Sequence, residues 1–134
     1  MTIDQRISTG NEWEKRYGYS RGVRRGNLIF LTGTVSMNAD GTPHVPDDGY
    51  AQALRCFEII ERAVVELGGS KADLVRSRMY VTDISRSDEF GRAHKDFFDQ
   101  SGLDLRPCLT MVEVSALISP EFLIEIECDA VVSS

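Results

Sequence analysis

The chain has 134 residues, with 15 lysines and arginines against 21 aspartates and glutamates, a formal charge of −6 at pH 7, and 42% hydrophobic residues. That length suits one core, and the longest apolar run, Leu28-Ile29-Phe30-Leu31, falls far short of the roughly 18–20 residues of a membrane-spanning helix. Met1-Thr2-Ile3-Asp4-Gln5-Arg6 has no apolar stretch behind its charges, so it does not read as a secretory signal, and an acidic chain lacks the positive field that supplies most affinity for a phosphate backbone. The expectation is a single cytoplasmic domain spanning 1–134, with no membrane partner and with nucleic acid disfavoured.

Residues 1–17 are polar, hold the lone Trp13 and show no period, which predicts an irregular arm lying over something else. A β pattern starts at Tyr19. Two strand-like runs, Tyr19 to Arg25 and Leu28 to Thr34, are joined by Gly26-Asn27, and glycine in first place suits a type II′ hairpin. Asn38 to Pro43 is turn chemistry. Tyr50 to Leu67 is the clearest helix: Ala53, Phe57, Ile60, Val64 and Leu67 recur at helical steps, Glu58 and Arg62 stand four apart as an ion pair, and Gly68-Gly69 ends it. Leu74 to Thr82 reads as a strand, with Val75, Met79 and Val81 on one face and Arg76, Arg78 and Tyr80 on the other. A second helix is expected from about Ser85 to Ser101, capped by Ser85 or Ser87, burying Phe90, Ala93, Phe97 and Ser101 and stopped by Gly102. Two strands close the chain. Cys108 to Val114 is short, and Phe122 to Val131 turns Phe122, Ile124, Ile126, Cys128 and Ala130 one way and Leu123, Glu125, Glu127 and Asp129 the other.

This order has no repeated βα crossover, so the fold class is α+β, one sheet with two helices packed on one face. The uncovered face then carries Leu74, Tyr80, Leu109, Met111 and Leu123. An apolar sheet face does not stay in water, which predicts self-association, most often symmetric. Cys56, Cys108 and Cys128 are odd in number with no C-x-x-C pair, and read as reduced thiols in the role of small buried hydrophobes. His44 sits in a surface-like Thr-Pro-His-Val-Pro loop, and no two histidines have zinc-helix spacing, so no metal site is expected.

Four segments together are specific: Tyr19-Ser20-Arg21-Gly22-Val23, Gly26-Asn27-Leu28-Ile29-Phe30-Leu31-Thr32-Gly33, Val81-Thr82-Asp83, and Arg106-Pro107 through Val112-Glu113-Val114 to Ile124-Glu125-Ile126-Glu127. In this order they resemble the Rid/YjgF family of reactive intermediate deaminases, over about Tyr17 to Val131. The resemblance implies a chorismate-mutase-like (YjgF-like) α+β unit, a homotrimer with pockets between subunits, and hydrolysis of imines and enamines to keto acids and ammonia with no cofactor. It places a ligand-binding tyrosine at Tyr19, a backbone approach site at Thr32 and Gly33, and the water-handling glutamate at Glu125. The family's pocket asparagine on the second helix becomes His94. The deaminase P-A-R-[ST]-x-V-E-V motif reads Pro107-Cys108-Leu109-Thr110-Met111-Val112-Glu113-Val114 here.

Leu109 therefore stands where the deaminases carry the arginine that clamps the substrate carboxylate. Leucine cannot donate to a carboxylate, and losing a charge-assisted pair costs roughly 1.5–3 kcal/mol. The chain resembles the subgroups lacking that arginine. Arg78 is the first candidate for a substitute clamp and Arg21 the second, while Leu109 and Met111 suit a less charged ligand. Glu125 and His94 form the candidate catalytic pair, because a carboxylate in a cleft near like charges is raised in pKa toward general-base duty. Three functions follow in order: hydrolysis of a small imine, enamine or related reactive metabolite; a non-catalytic trimer binding a small metabolite; and ribonuclease or translation inhibition, which the charge disfavours.

Overall fold

The computed structural model describes residues 2–100 and 102–133. Nine regular elements run in the order β1 (Asp4–Ile7), α1 (Glu12–Tyr17), β2 (Gly22–Arg25), β3 (Leu28–Val35), α2 (Gly49–Glu66), β4 (Leu74–Val81), α3 (Ser87–Asp99), β5 (Cys108–Glu113) and β6 (Ile124–Val131), among the described residues. The strands form one six-stranded sheet in the order β1-β2-β3-β6-β4-β5. Every neighbouring pair is antiparallel except β4 with β5.

The hairpin of β2 and β3 turns on Gly26 at φ +58°, and Asn27 is not among the residues with positive φ, as a type II′ turn requires. In α2, Asp48 caps the first turn by accepting from the Ala51 amide, and Ala53, Phe57, Ile60 and Val64, with Leu67 just beyond, are buried as their spacing predicts. The alternation of β6 buries Ile124, Ile126, Cys128 and Ala130 against α2. Phe57 anchors the contact between the two long helices, with ring centroids 4.7 Å from Phe97 and 5.6 Å from Phe98.

Several expectations are corrected. The arm expected to be irregular over 1–17 holds two regular elements among its described residues: β1 pairs along β2, and α1 is capped by the Asn11 side chain on the Glu14 amide. The register of β4 slips between Leu74 and Arg76, so Leu74 enters the core and Val75 is exposed. A bulge of this kind reverses the faces that strict alternation assigns. Glu58 pairs with Arg55, one turn back, instead of Arg62. The second long helix begins at Ser87 after a short turn in which Asp83 accepts from the Ser85 amide, and no side chain caps it; Ser101 lies outside the described residues.

Met111 and Leu123 pack against the core. Leu109 and Met111 stand in register with Ser77 and Met79 of β4, both buried beneath the helices. The open face of the sheet is instead made apolar by Leu28, Phe30, Val112 and Val131, all exposed, around a charged centre. There Arg78 reaches Asp129 at 3.2 Å and Glu127 at 3.7 Å, and the Tyr80 hydroxyl donates to Glu127.

Candidate functional site

A groove of about 680 Å³ opens between the β1–α1 arm, the end of β3, the 37–41 loop and the flank of α2. Its floor exists because β3 breaks register against β6 between Leu31 and Thr34, leaving Thr32 and Gly33 in the irregularity. Such a break re-aims side chains next to it. Glu125 of β6 lies at this point, paired with Val35 on one side and Tyr80 on the other. A side chain at position 33 would strike it, since an added Cβ would run into Glu125 Oε2. Gly33 is thus the space that Glu125 occupies.

Glu125 accepts no hydrogen bond from the described residues and faces the groove. Burial and the neighbouring Glu127 push its carboxyl above the ordinary carboxylate range, and Arg21 pulls weakly the other way. A carboxylate with a raised pKa and free lone pairs can hold a water molecule and take its proton.

Arg21 is the second element of the site. Its side chain is only 8% exposed and it bridges two parts of the chain. One guanidinium edge meets the Glu14 carboxylate at 3.3 Å; the opposite nitrogen donates to Thr34 Oγ1 at 3.1 Å and to the Gly33 carbonyl at 3.4 Å. Glu14, buried in turn, accepts from the Ser8 hydroxyl, the Thr9 hydroxyl and the Thr9 amide. Burial alone would raise its pKa, but those hydroxyls and Arg21 outweigh it and hold it below the usual value. The arm is thereby bolted to the strand whose break forms the groove.

The expected site residues fall into two sets. Tyr19, Thr32, Gly33 and Glu125 all line the groove. Leu109 and Met111 lie on β5, the edge of the sheet, three strand spacings from β3, about 14 Å away. Arg78 does not line the groove; it is held by Asp129 and Glu127 on the open face. His94 packs between the helices, with ring centroids 5.7 Å from Phe57 and 4.7 Å from Phe98, and burial pushes its pKa down toward the neutral ring. Its Nε2 has no hydrogen-bond partner among the described residues. His94 is not among the groove's lining residues, so within one chain it does not pair with Glu125. Trp13, Tyr17 and Arg55 also line the groove and were not anticipated. A signal for the first two existed: Asn11 and Glu14 have capping-box spacing, which marks a helix start within the arm.

The cysteines play no part in the groove. Cys56 and Cys128 are buried, and burial pushes the Cys56 thiol well up and that of Cys128 up to about 12, while Cys108 is exposed on β5. Among the described residues no three His, Cys, Asp or Glu side chains gather as a metal-holding group, and no helix is long and apolar enough to cross a membrane.

A mixed α+β fold, one six-stranded sheet with its long helices on one face, is an architecture shared with a known class. The family model described as Endoribonuclease L-PSP matches residues 9–132. The 2-iminobutanoate/2-iminopropanoate deaminase of Escherichia coli K12 is 32% identical over 130 residues, 96% of this chain and 98% of that protein. A Mycobacterium tuberculosis member of the YjgF/YER057c/UK114 family superposes with a TM-score of 0.83 at 42% identity, covering 97% of this chain and all of that one. E. coli TdcF, crystallised with bound serine, gives 0.81 at 26% identity, covering 99% and 98%. The chain belongs to the Rid/YjgF family.

Proposed function

We propose that the protein is a hydrolase of imines or enamines that acts as a homotrimer of chorismate-mutase-like subunits, each chain forming one unit of it. The observation carrying this reading is Glu125, half-buried in the groove, raised in pKa and accepting no hydrogen bond from the described residues. In the proposed reaction Glu125 takes a proton from water as the water oxygen attacks the imine carbon. Glu125 passes that proton to the nitrogen to give a carbinolamine; the hydroxyl proton then moves to the same nitrogen, the carbon–nitrogen bond breaks, ammonia leaves and a carbonyl remains. An enamine enters the same route once its carbon is protonated to the imine. Relatives named as deaminases and a relative holding serine support a small nitrogenous ligand.

The trimer is supported by the separation of the two residue sets. Leu109 is two strand spacings from Glu125 and points to the opposite face of the sheet in one chain, and a neighbour's β5 edge laid across the groove would bring this exposed residue there and cover part of the open face. Leu109 in the arginine position favours a substrate less charged than the usual 2-imino acids. The same residue also favours the second reading, a trimer that binds a metabolite without turning it over. The charge of −6 counts against RNA as the substrate.

The test is hydrolysis of freshly generated 2-iminobutanoate by the wild type, Glu125→Gln and Leu109→Arg. The proposal expects slow wild-type turnover, at least tenfold faster turnover by Leu109→Arg, and none above background by Glu125→Gln. A silent wild type that gains activity only when the arginine is restored supports the binder, and wild-type rates insensitive to Glu125→Gln overturn the catalytic role.

A further inference from the structure

The arm that closes one side of the groove presents aromatic rings to it. Trp13 and Tyr17 stand four residues apart on α1, stacked with centroids 5.7 Å apart and planes at 27°, and Tyr19 follows directly after the helix. All three line the groove, and Tyr17 and Tyr19 are 62% and 36% exposed. Large aromatic side chains left open in a concave site offer flat apolar faces to a ligand. The wall is also fixed in place. Asn11 caps α1, Gly18 ends it in the left-handed conformation at φ +74°, and the buried pair of Glu14 with Arg21 ties it to β3. A surface held this way loses little freedom when a ligand packs on it. The groove of one chain, about 680 Å³, leaves room for a ring beside the imine as well as for a neighbour's β5 edge. Of the arginines at the groove, Arg21 is taken by Glu14 and Arg55 by Glu58 and the Met37 carbonyl, while Arg62 is exposed at the rim. Trp13 is held from its own helix by Tyr17 and by the Arg16 guanidinium 5.1 Å from its ring centroid, which leaves Tyr17 and Tyr19 as the open rings next to the arm.

We infer that Trp13, Tyr17 and Tyr19 form a specificity wall, and that the substrate is an imine whose carbon skeleton carries an aromatic ring. The ring packs on the wall while the imine carbon lies toward Glu125. This rests on the hydrolytic reading for its chemistry, but the ring-binding part stands apart from it and is tested separately.

The matched substrates are the imines released from phenylalanine and from alanine by an L-amino-acid oxidase, which differ only by the phenyl group. The wild type is expected to prefer the phenyl imine by about tenfold or more in kcat/KM. Tyr17→Ala should bring that ratio down toward one and Tyr17→Phe should keep it, whereas a merely structural role of Tyr17 would lower kcat/KM for both imines together and leave their ratio unchanged. Trp13 is the only tryptophan, so its fluorescence reports binding without turnover. 3-Phenylpropanoate should quench it in both the wild type and Glu125→Gln at concentrations where butanoate does not. Quenching by 3-phenylpropanoate with neither imine hydrolysed supports the wall and sinks the hydrolase. Hydrolysis of both imines at equal kcat/KM, with equal quenching by the two acids, overturns the wall and leaves the hydrolase standing.

Discussion

Glu14 and Arg21 face each other almost wholly out of water, at 2% and 8% side-chain exposure. Neither charge is stable there alone. Glu14→Gln should therefore destabilise the protein by about 3–5 kcal/mol by leaving a buried guanidinium uncompensated, and Glu14→Leu combined with Arg21→Met should recover most of the loss. Urea denaturation of the variants checks this. Because the folded pKa of Glu14 is lowered, the pair's contribution is complete above the ordinary glutamate range and is lost as pH falls through the folded value. Glu125 has the opposite sign. Its folded pKa is raised, so its contribution is favourable below the ordinary range and is lost as pH rises through the folded value. Glu125→Gln should accordingly raise Tm at pH 7, by about 3–5 °C for each 1 kcal/mol of penalty removed, and leave it nearly unchanged at pH 3. Thr32, Gly33 and Glu125 stand out in the sequence only through the family resemblance, since alternation alone makes Glu125, Glu127 and Asp129 one acidic strand face; the structure brings all three to the groove. Arg21 was read only as a weak substitute clamp, because the acid that holds it comes from a segment without periodicity. His94 meets a related limit: its place next to Ala93 on the inner side of its helix says that it is inward, but not that its ring packs on Phe57 and Phe98 and not on the groove of its own chain.

Hydrophobic period sufficed to place α2, β3 and β6, whose apolar residues keep one spacing from end to end. Strand β4 shows where that signal fails. A single slipped residue exchanges the faces of Leu74 and Val75, and composition does not mark the slip. Helix α1 is too short to show a period, and only its cap betrays it. The connections depend on one polar side chain that periodicity treats as an outlier. Gln52 is fully buried in α2, with Nε2 within hydrogen-bonding distance of the Val45, Pro46 and Glu121 carbonyls and Oε1 accepting from the Leu123 amide. It joins the loop before α2 to the entry of β6, the strand that carries Glu125. Gln52→Leu keeps the volume but strands buried backbone groups, and should cost about 2–4 kcal/mol in chemical denaturation.

At the scale of the whole molecule, one chain holds the carboxylate half of the proposed site at β3 and β6 and the motif half at the β5 edge. Exposed Leu28, Phe30, Val112 and Val131 on the open face give neighbouring copies an apolar surface to share. Sedimentation equilibrium should find three times 15.0 kDa, 45 kDa, with no populated monomer at micromolar concentration. The assembly would carry three times −6, a charge of −18, which sets it still further from phosphate-backbone partners.

The most direct test of the whole account is the pH profile of kcat/KM for imine hydrolysis by the wild type and Glu125→Gln, both verified as folded and of the same oligomeric state. The base must be ionised to act, so wild-type activity should rise with pH through a pKa above the ordinary carboxylate range, and Glu125→Gln should lose about 100-fold or more together with that acid limb. A folded Glu125→Gln variant with wild-type rates and the same acid limb would contradict it.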